Sequence, residues 1–153
     1  MRQRNFFFIK GFLKGFTLPE ILLSVTLLSI IASMSLPVYN SFINRNELDQ
    51  TVALYAQSLR RAQALSVAQI GDSVWGVKLN SSSILVFKGA SYATRDQAFD
   101  EVISFSPNIT FSGLSEVAFL KRVGVPTTTG TSTFILYQDT RNVFINQKGM
   151  VAY

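Results

Sequence analysis

A lone acid stands at the mouth of an unbroken apolar run. From Ile21 the chain reads ILLSVTLLSIIASMSL, with Ser and Thr as its only polar side chains and no charge, and Glu20 comes directly before it. A helix that is apolar all round must be covered on every side, by a protein core or by hydrocarbon. The stretch from Phe16 to Tyr39 is long enough for a helix to cross a bilayer core of roughly 30 Å. A carboxylate buried at the edge of such a helix costs on the order of 2.5–3.5 kcal/mol unless it finds a partner. One solution is a signal-anchor helix with Glu20 in the headgroups. Another is a cap on the helix's own N-terminus, where the macrodipole favours negative charge.

The residues before Glu20 are basic. Met1 to Gly15 contains Arg2, Arg4, Lys10 and Lys14 and no acid. Basic residues flanking an apolar helix stay cytoplasmic, which predicts a single-pass chain with its N-terminus inside and the rest outside. The whole chain has a formal charge of +5, from 14 Lys+Arg against 9 Asp+Glu. Without the leader, ten basic side chains face nine acids, a net of +1. Outside the leader the only basic pairs are Arg60-Arg61 and Lys121-Arg122. Nucleic acid is therefore not an expected partner.

Lys14-Gly15-Phe16-Thr17-Leu18-Pro19-Glu20, between a basic leader and an apolar helix, resembles the class III signal of type IV pilins and type II secretion pseudopilins. The resemblance implies cleavage between Gly15 and Phe16 by a prepilin peptidase/methyltransferase and N-methylation of Phe16. It implies subunit assembly through Thr17, Leu18 and Glu20, and a helix bend at Pro37, where many members carry a proline. A processed Phe16 would present a cationic amine one helical turn from Glu20. In a stack of parallel helices the Glu20 of one subunit would meet the Phe16 amine of its neighbour, neutralising two groups otherwise buried as charges. An ordinary secretory signal competes, with small residues at Ala32-Ser33-Met34-Ser35 for a general signal peptidase. The length of the apolar run and the Gly-Phe boundary argue against it.

After Pro37 the helix is expected to continue. Leu48, Val52, Tyr55, Leu59 and Ala62 recur at spacings of four and three, the mark of one buried stripe. Asp49, Gln57, Arg60, Arg61 and Gln63 take the opposite face, and Gly71 is read as the C-terminal stop. A helix from Pro19 to Ile70 would be roughly 75 Å long. From Ser73 the period changes. Residues 73–79 and 83–88 read as a hairpin around Asn80-Ser81-Ser82. Residues 89–100 read as irregular, followed by short strands at 102–105, 109–111, 117–120, 133–137, 142–146 and 150–153. Thr127-Thr128-Thr129-Gly130-Thr131 is read as a loop or hairpin tip.

The expected fold class is α+β, pilin-like: a long N-terminal α-helix, with a transmembrane half and an amphipathic half, packed on a C-terminal antiparallel β-sheet head. The expected organisation is a removed leader at 1–15, a transmembrane and polymerisation half-helix at 16–39, an amphipathic half-helix at 40–71 and a β-rich head at 72–153. The helix around Ser58-Leu59-Arg60-Arg61-Ala62-Gln63-Ala64 and the hairpin after it are similar to H-type minor pseudopilins and related minor pilins. So are Phe119, Gly124 and Pro126 before the Thr-rich loop, and the closing strands around Gly149.

Zero Cys and zero His exclude a disulfide, a Cys nucleophile, a Ser-His-Asp arrangement and a His-based zinc site. Arg95-Asp96-Gln97-Ala98-Phe99-Asp100-Glu101 gathers three acids without Asp-x-Asp spacing, a pattern read as a solvated surface rather than a calcium loop. Asn80-Ser81-Ser82 and Asn108-Ile109-Thr110 match glycosylation triplets that arise often by chance, and Trp75 and Phe87 read as core. Neither catalysis, a cofactor nor a metal is expected. The resemblance implies a structural subunit, minor pilin or pseudopilin, of a type IV pilus-like filament serving protein secretion, adhesion, motility or DNA uptake. Its partners would be other subunits, an inner-membrane assembly platform and the lipid bilayer. It would sit in the cytoplasmic (inner) membrane and then in a periplasmic or cell-surface filament. A major pilin and a non-polymerising, membrane-anchored ligand-binding protein are the alternatives.

Overall fold

The computed structural model describes residues 15–153, apart from the side chains of 34–38 and 40. Helix α1 (Leu18–Val67) is followed by a 3-10 turn (Ile70–Asp72) and by β1 (Trp75–Asn80) and β2 (Ser83–Lys88). A second 3-10 turn (Tyr92–Thr94) leads into β3 (Asp96–Ser104), β4 (Thr110–Gly113) and β5 (Glu116–Phe119). The chain ends with β6 (Gly130–Leu136), β7 (Asp139–Ile145) and β8 (Val151–Ala152). It divides into two compact units at the Tyr39/Asn40 boundary.

Two features correct the expected fold. The strands do not build a single head sheet: they form two antiparallel four-stranded sheets, ordered β3-β2-β1-β5 and β4-β6-β7-β8. Nor does a transmembrane half appear, because no helix among the described residues is long and apolar enough to cross a membrane. Residues 1–14 of the predicted leader lie outside the described residues, as does the side chain of Pro37, where the sequence predicts a bend within α1.

Within the second unit, the residues spaced four and three apart on α1 turn one face inward. Leu48, Val52, Tyr55, Leu59 and Ala62 are all buried, together with Ala56. They join Trp75, Val77 and Leu79 of β1, Ile84 and Val86 of β2, and Val117 and Phe119 of β5 in one core. From the second sheet, Phe134, Leu136, Val143, Ile145 and Val151 enter the same core. Each fully buried Leu, Ile, Val or Phe contributes about 1.5–3 kcal/mol. Alternate residues of β2 point the other way. There Phe87 is also buried, with the Tyr92 ring edge-on at 6.3 Å.

The helix ends earlier than Gly71. Val67 closes α1, and Gln69 turns the chain with a left-handed φ of 54°. Trp75 explains the early stop. Its backbone N–H donates to Ser66 Oγ at 2.9 Å and its indole N–H to the Ile70 carbonyl at 2.9 Å, so 66–75 must close into a tight loop. Gly124 locks the same corner. Its φ is 68°, and a Cβ there would meet Val67 Cγ2 at 2.6 Å, so no side chain fits. The segment read as irregular is also partly regular. β3 begins at Asp96 and pairs with β2 across a register shift between Val86 and Lys88.

A buried hydroxyl relay joins α1 to the second sheet. Tyr55 Oη lies 3.2 Å from Ser132 Oγ, and Ser132 donates to the Leu114 carbonyl at 2.6 Å, which leaves Tyr55 as the donor to Ser132. Burial pushes the Tyr55 phenol up to about 12, with the Ser132 hydrogen bond opposing in part. An unfolded chain releases that proton near pH 10 while the fold retains it. Stability is therefore full below pH 10 and falls as pH rises from 10 to 12. The expected loss is about 3 kcal/mol. Denaturant melts at pH 9 and 11.5 would capture about 2 kcal/mol of it, and Tyr55→Phe should flatten that part of the slope.

Candidate functional site

Thr17-Leu18-Pro19-Glu20 forms one arm of a capping box, the acid three residues after Thr17 reaching back to its N–H. The Thr17 carbonyl accepts from the N–H groups of Glu20 at 3.1 Å and Ile21 at 3.2 Å. The Thr17 N–H donates to Glu20 Oε2 at 3.5 Å. Pro19 has no N–H to leave unsatisfied in this first turn. In the single chain, Glu20 is thus a helix cap that stays exposed. Gly15 and Phe16 precede the helix. Phe16 is 77% exposed, and among the described residues an added Cβ at Gly15 would meet nothing within 4 Å.

Beyond the cap, every described side chain from Ile21 to Ser33 is exposed. Leu22, Leu23, Val25, Leu27, Leu28 and Ile30 stand on all sides of the helix, each more than half accessible. The hydroxyls between them do not soften this surface. Ser24 donates to the Glu20 carbonyl, Thr26 to Leu23, Ser29 to Val25 and Ser33 to Ile30, at 2.7–2.8 Å. Satisfied inside the helix, these groups need no water. They can be covered by apolar atoms without the usual penalty for burying an unpaired hydroxyl.

This internal satisfaction was not read from the sequence. The signal for it is the placement of Ser and Thr inside a helical run, where the carbonyl three or four residues back keeps a second lone pair for a hydroxyl.

The remaining candidates are occupied by the fold itself. Asp100 pairs with Arg95 at 2.8 Å, Glu101 with Arg61 at 2.6 Å, and Asp96 accepts from the Ala98 N–H. Arg95 in turn lies over the Tyr92 ring at 4.0 Å, so the acids hold β3 and its approach in place. The basic pairs are engaged as well. Arg60 donates to the Val151 carbonyl, Arg61 to Glu101, Lys121 to Asp72 and Arg122 to Gln69. Trp75 and Phe87 are buried. The Asn80 amide faces Ser83 Oγ at 3.5 Å.

The geometry gathers Gly15, Phe16, Thr17, Leu18 and Glu20 at one exposed helix start, followed by an apolar surface open on all sides. No protein-family model, curated protein or solved structure matches this chain.

Proposed function

We propose that this chain is a structural subunit of a type IV pilus-like filament, of the minor pilin or pseudopilin kind, assembled through residues 16–33. The observation that carries the reading is an apolar helical surface, exposed on every side, whose hydroxyls are already satisfied internally. In this reading a prepilin peptidase cuts between Gly15 and Phe16, Phe16 is methylated, and an inner-membrane platform passes the subunit to the growing filament. Copies or related subunits then cover the apolar surface. Glu20 changes partner, from its own Thr17 N–H to the Phe16 amine of a neighbour. Charge pairing of this kind sets register, because leaving one partner buried alone is strongly unfavourable.

Mass spectrometry of the mature protein tests the processing step. A chain beginning at methylated Phe16 is expected, and one beginning at Met1 or near Ser35 would contradict it. Glu20→Ala tests the register role. Loss of the cap costs the helix about 1 kcal/mol and leaves the rest of the fold intact. Incorporation into filaments alongside wild-type subunits should fall well beyond that local effect, and normal incorporation would remove Glu20 from the assembly mechanism.

A further inference from the structure

Nearly every charged side chain of the second unit meets a partner within the chain. Six ion pairs join twelve of them. Asp96 accepts from the Ala98 N–H, Arg60 donates to the Val151 carbonyl, Arg122 donates to Gln69, and Lys88 lies over the Phe99 ring at 4.2 Å. Among the described residues of this unit, two head groups are left over, and they are of opposite sign: the Glu47 carboxylate and the Lys148 ammonium. Glu47 is partly exposed on α1, and Ile43, one turn earlier on the same helix face, is 43% exposed. The charges beside Glu47 are turned elsewhere, Arg45 to Asp139 and Asp49 to Arg141 of β7. Lys148 lines an open groove of about 570 Å3, together with the exposed side chains of Phe144 and Met150 and with no acid. The turn that carries Lys148 is already fixed. Asn146 Oδ1 accepts from the N–H groups of Lys148 and Met150, both at 2.9 Å. Gly149 holds a left-handed φ of 78°, and a Cβ there would clash with the Gln63 amide and the Gly124 carbonyl.

We infer that this groove receives the Ile43–Glu47 face of α1 from a neighbouring copy, with Ile43 against Phe144 and Met150 and Glu47 on Lys148. The inference rests on the assembly reading above and adds a second contact between the same copies. Charge complementarity names the occupant. The groove is apolar with one cation, and the one carboxylate of this unit left without a partner follows an exposed aliphatic side chain by one helical turn. The two head groups do not meet within one chain, so the pair forms only between copies. Rigidity favours the contact as well, because a groove fixed beforehand loses little freedom when it is filled. The contact joins two different patches, and is therefore heterologous. Repeated from copy to copy, such a contact builds a ring or an open helical filament. It keeps all copies pointing the same way, as parallel packing of residues 16–33 requires.

Charge exchange on the full-length chain tests this by sedimentation. Glu47→Lys and Lys148→Glu, each alone, set like charges against one another and should lower assembly by at least about tenfold. The unfolding midpoint should not move, because neither head group has a partner within the chain. An equal mixture of the two variants should assemble, since each then offers the other the opposite charge on both patches. The double variant Glu47→Lys/Lys148→Glu should recover in the same way. Single variants that assemble normally, or a mixture and a double variant as defective as the singles, overturn the contact. Leu27→Lys separates this outcome from failure of the assembly reading. If Leu27→Lys abolishes assembly while the charge variants leave it unchanged, the groove contact is wrong and the assembly reading stands. If Leu27→Lys also assembles normally, or the wild-type chain stays monomeric, both fall.

Discussion

Phe134→Ala should destabilise the second unit by about 3–5 kcal/mol. Phe134 is fully buried, tilted against Tyr55 at 5.3 Å on one side and Phe111 at 6.4 Å on the other. With Ser132, it is therefore a side chain through which β6 reaches α1. Truncation leaves a cavity between helix and sheet and loosens the neighbouring Tyr55–Ser132 hydrogen bond, so two contributions fall together. A domain of this size is stable by only about 5–15 kcal/mol, and the loss would be visible as a large drop in denaturation midpoint. Phe144→Ala is the control. It lies on the same sheet with its ring about half exposed and should cost well under 1 kcal/mol.

The second large effect concerns assembly. Leu27→Lys places a charge in the middle of the apolar surface, where no described neighbour could pair with it. A single chain keeps that lysine in water at little cost. In an assembly it would be buried without a partner, at a cost of about 3–5 kcal/mol, which lowers association by more than about 100-fold. The unfolding midpoint of the second unit should not move, since Leu27 lies outside it. Sedimentation of the wild-type and variant chains reads the association, and denaturant melts read the midpoint. A variant that assembles as well as wild type would mean that the apolar surface faces something other than a packed neighbour.

Parts of this structure could be read from residue order because local and tertiary preferences agree there. The spacing of Leu48, Val52, Tyr55, Leu59 and Ala62 leaves one face for burial, and the β-branched runs on either side of Ser81-Ser82 pair residue by residue, from Trp75 with Lys88 to Asn80 with Ser83. Where the two preferences part, the sequence misleads. Asp96 to Glu101 is polar and mostly exposed, so it lacks the alternation of a half-buried strand, yet it forms most of an edge strand because β2 offers it a hydrogen-bonding partner. The grouping of strands into two sheets depends on which edges meet, and short strands of similar composition do not encode that choice locally. Helix termination was misplaced because Trp75, distant in the pattern, takes up Ser66 and the Ile70 carbonyl. At the candidate site, Gly15, Phe16 and Glu20 were legible as chemistry. The hydroxyls bonded back along 24–33 were not, because that arrangement depends on helix geometry.

The central claim is that residues 16–33 of separate copies lie against one another. A nitroxide attached through Leu27→Cys on the full chain measures this directly. The account predicts strong dipolar broadening between labels in assembled protein, relieved in proportion as unlabelled chain is mixed in. Spectra without broadening at any labelling fraction, under conditions where the protein is fully sedimentable, would contradict it.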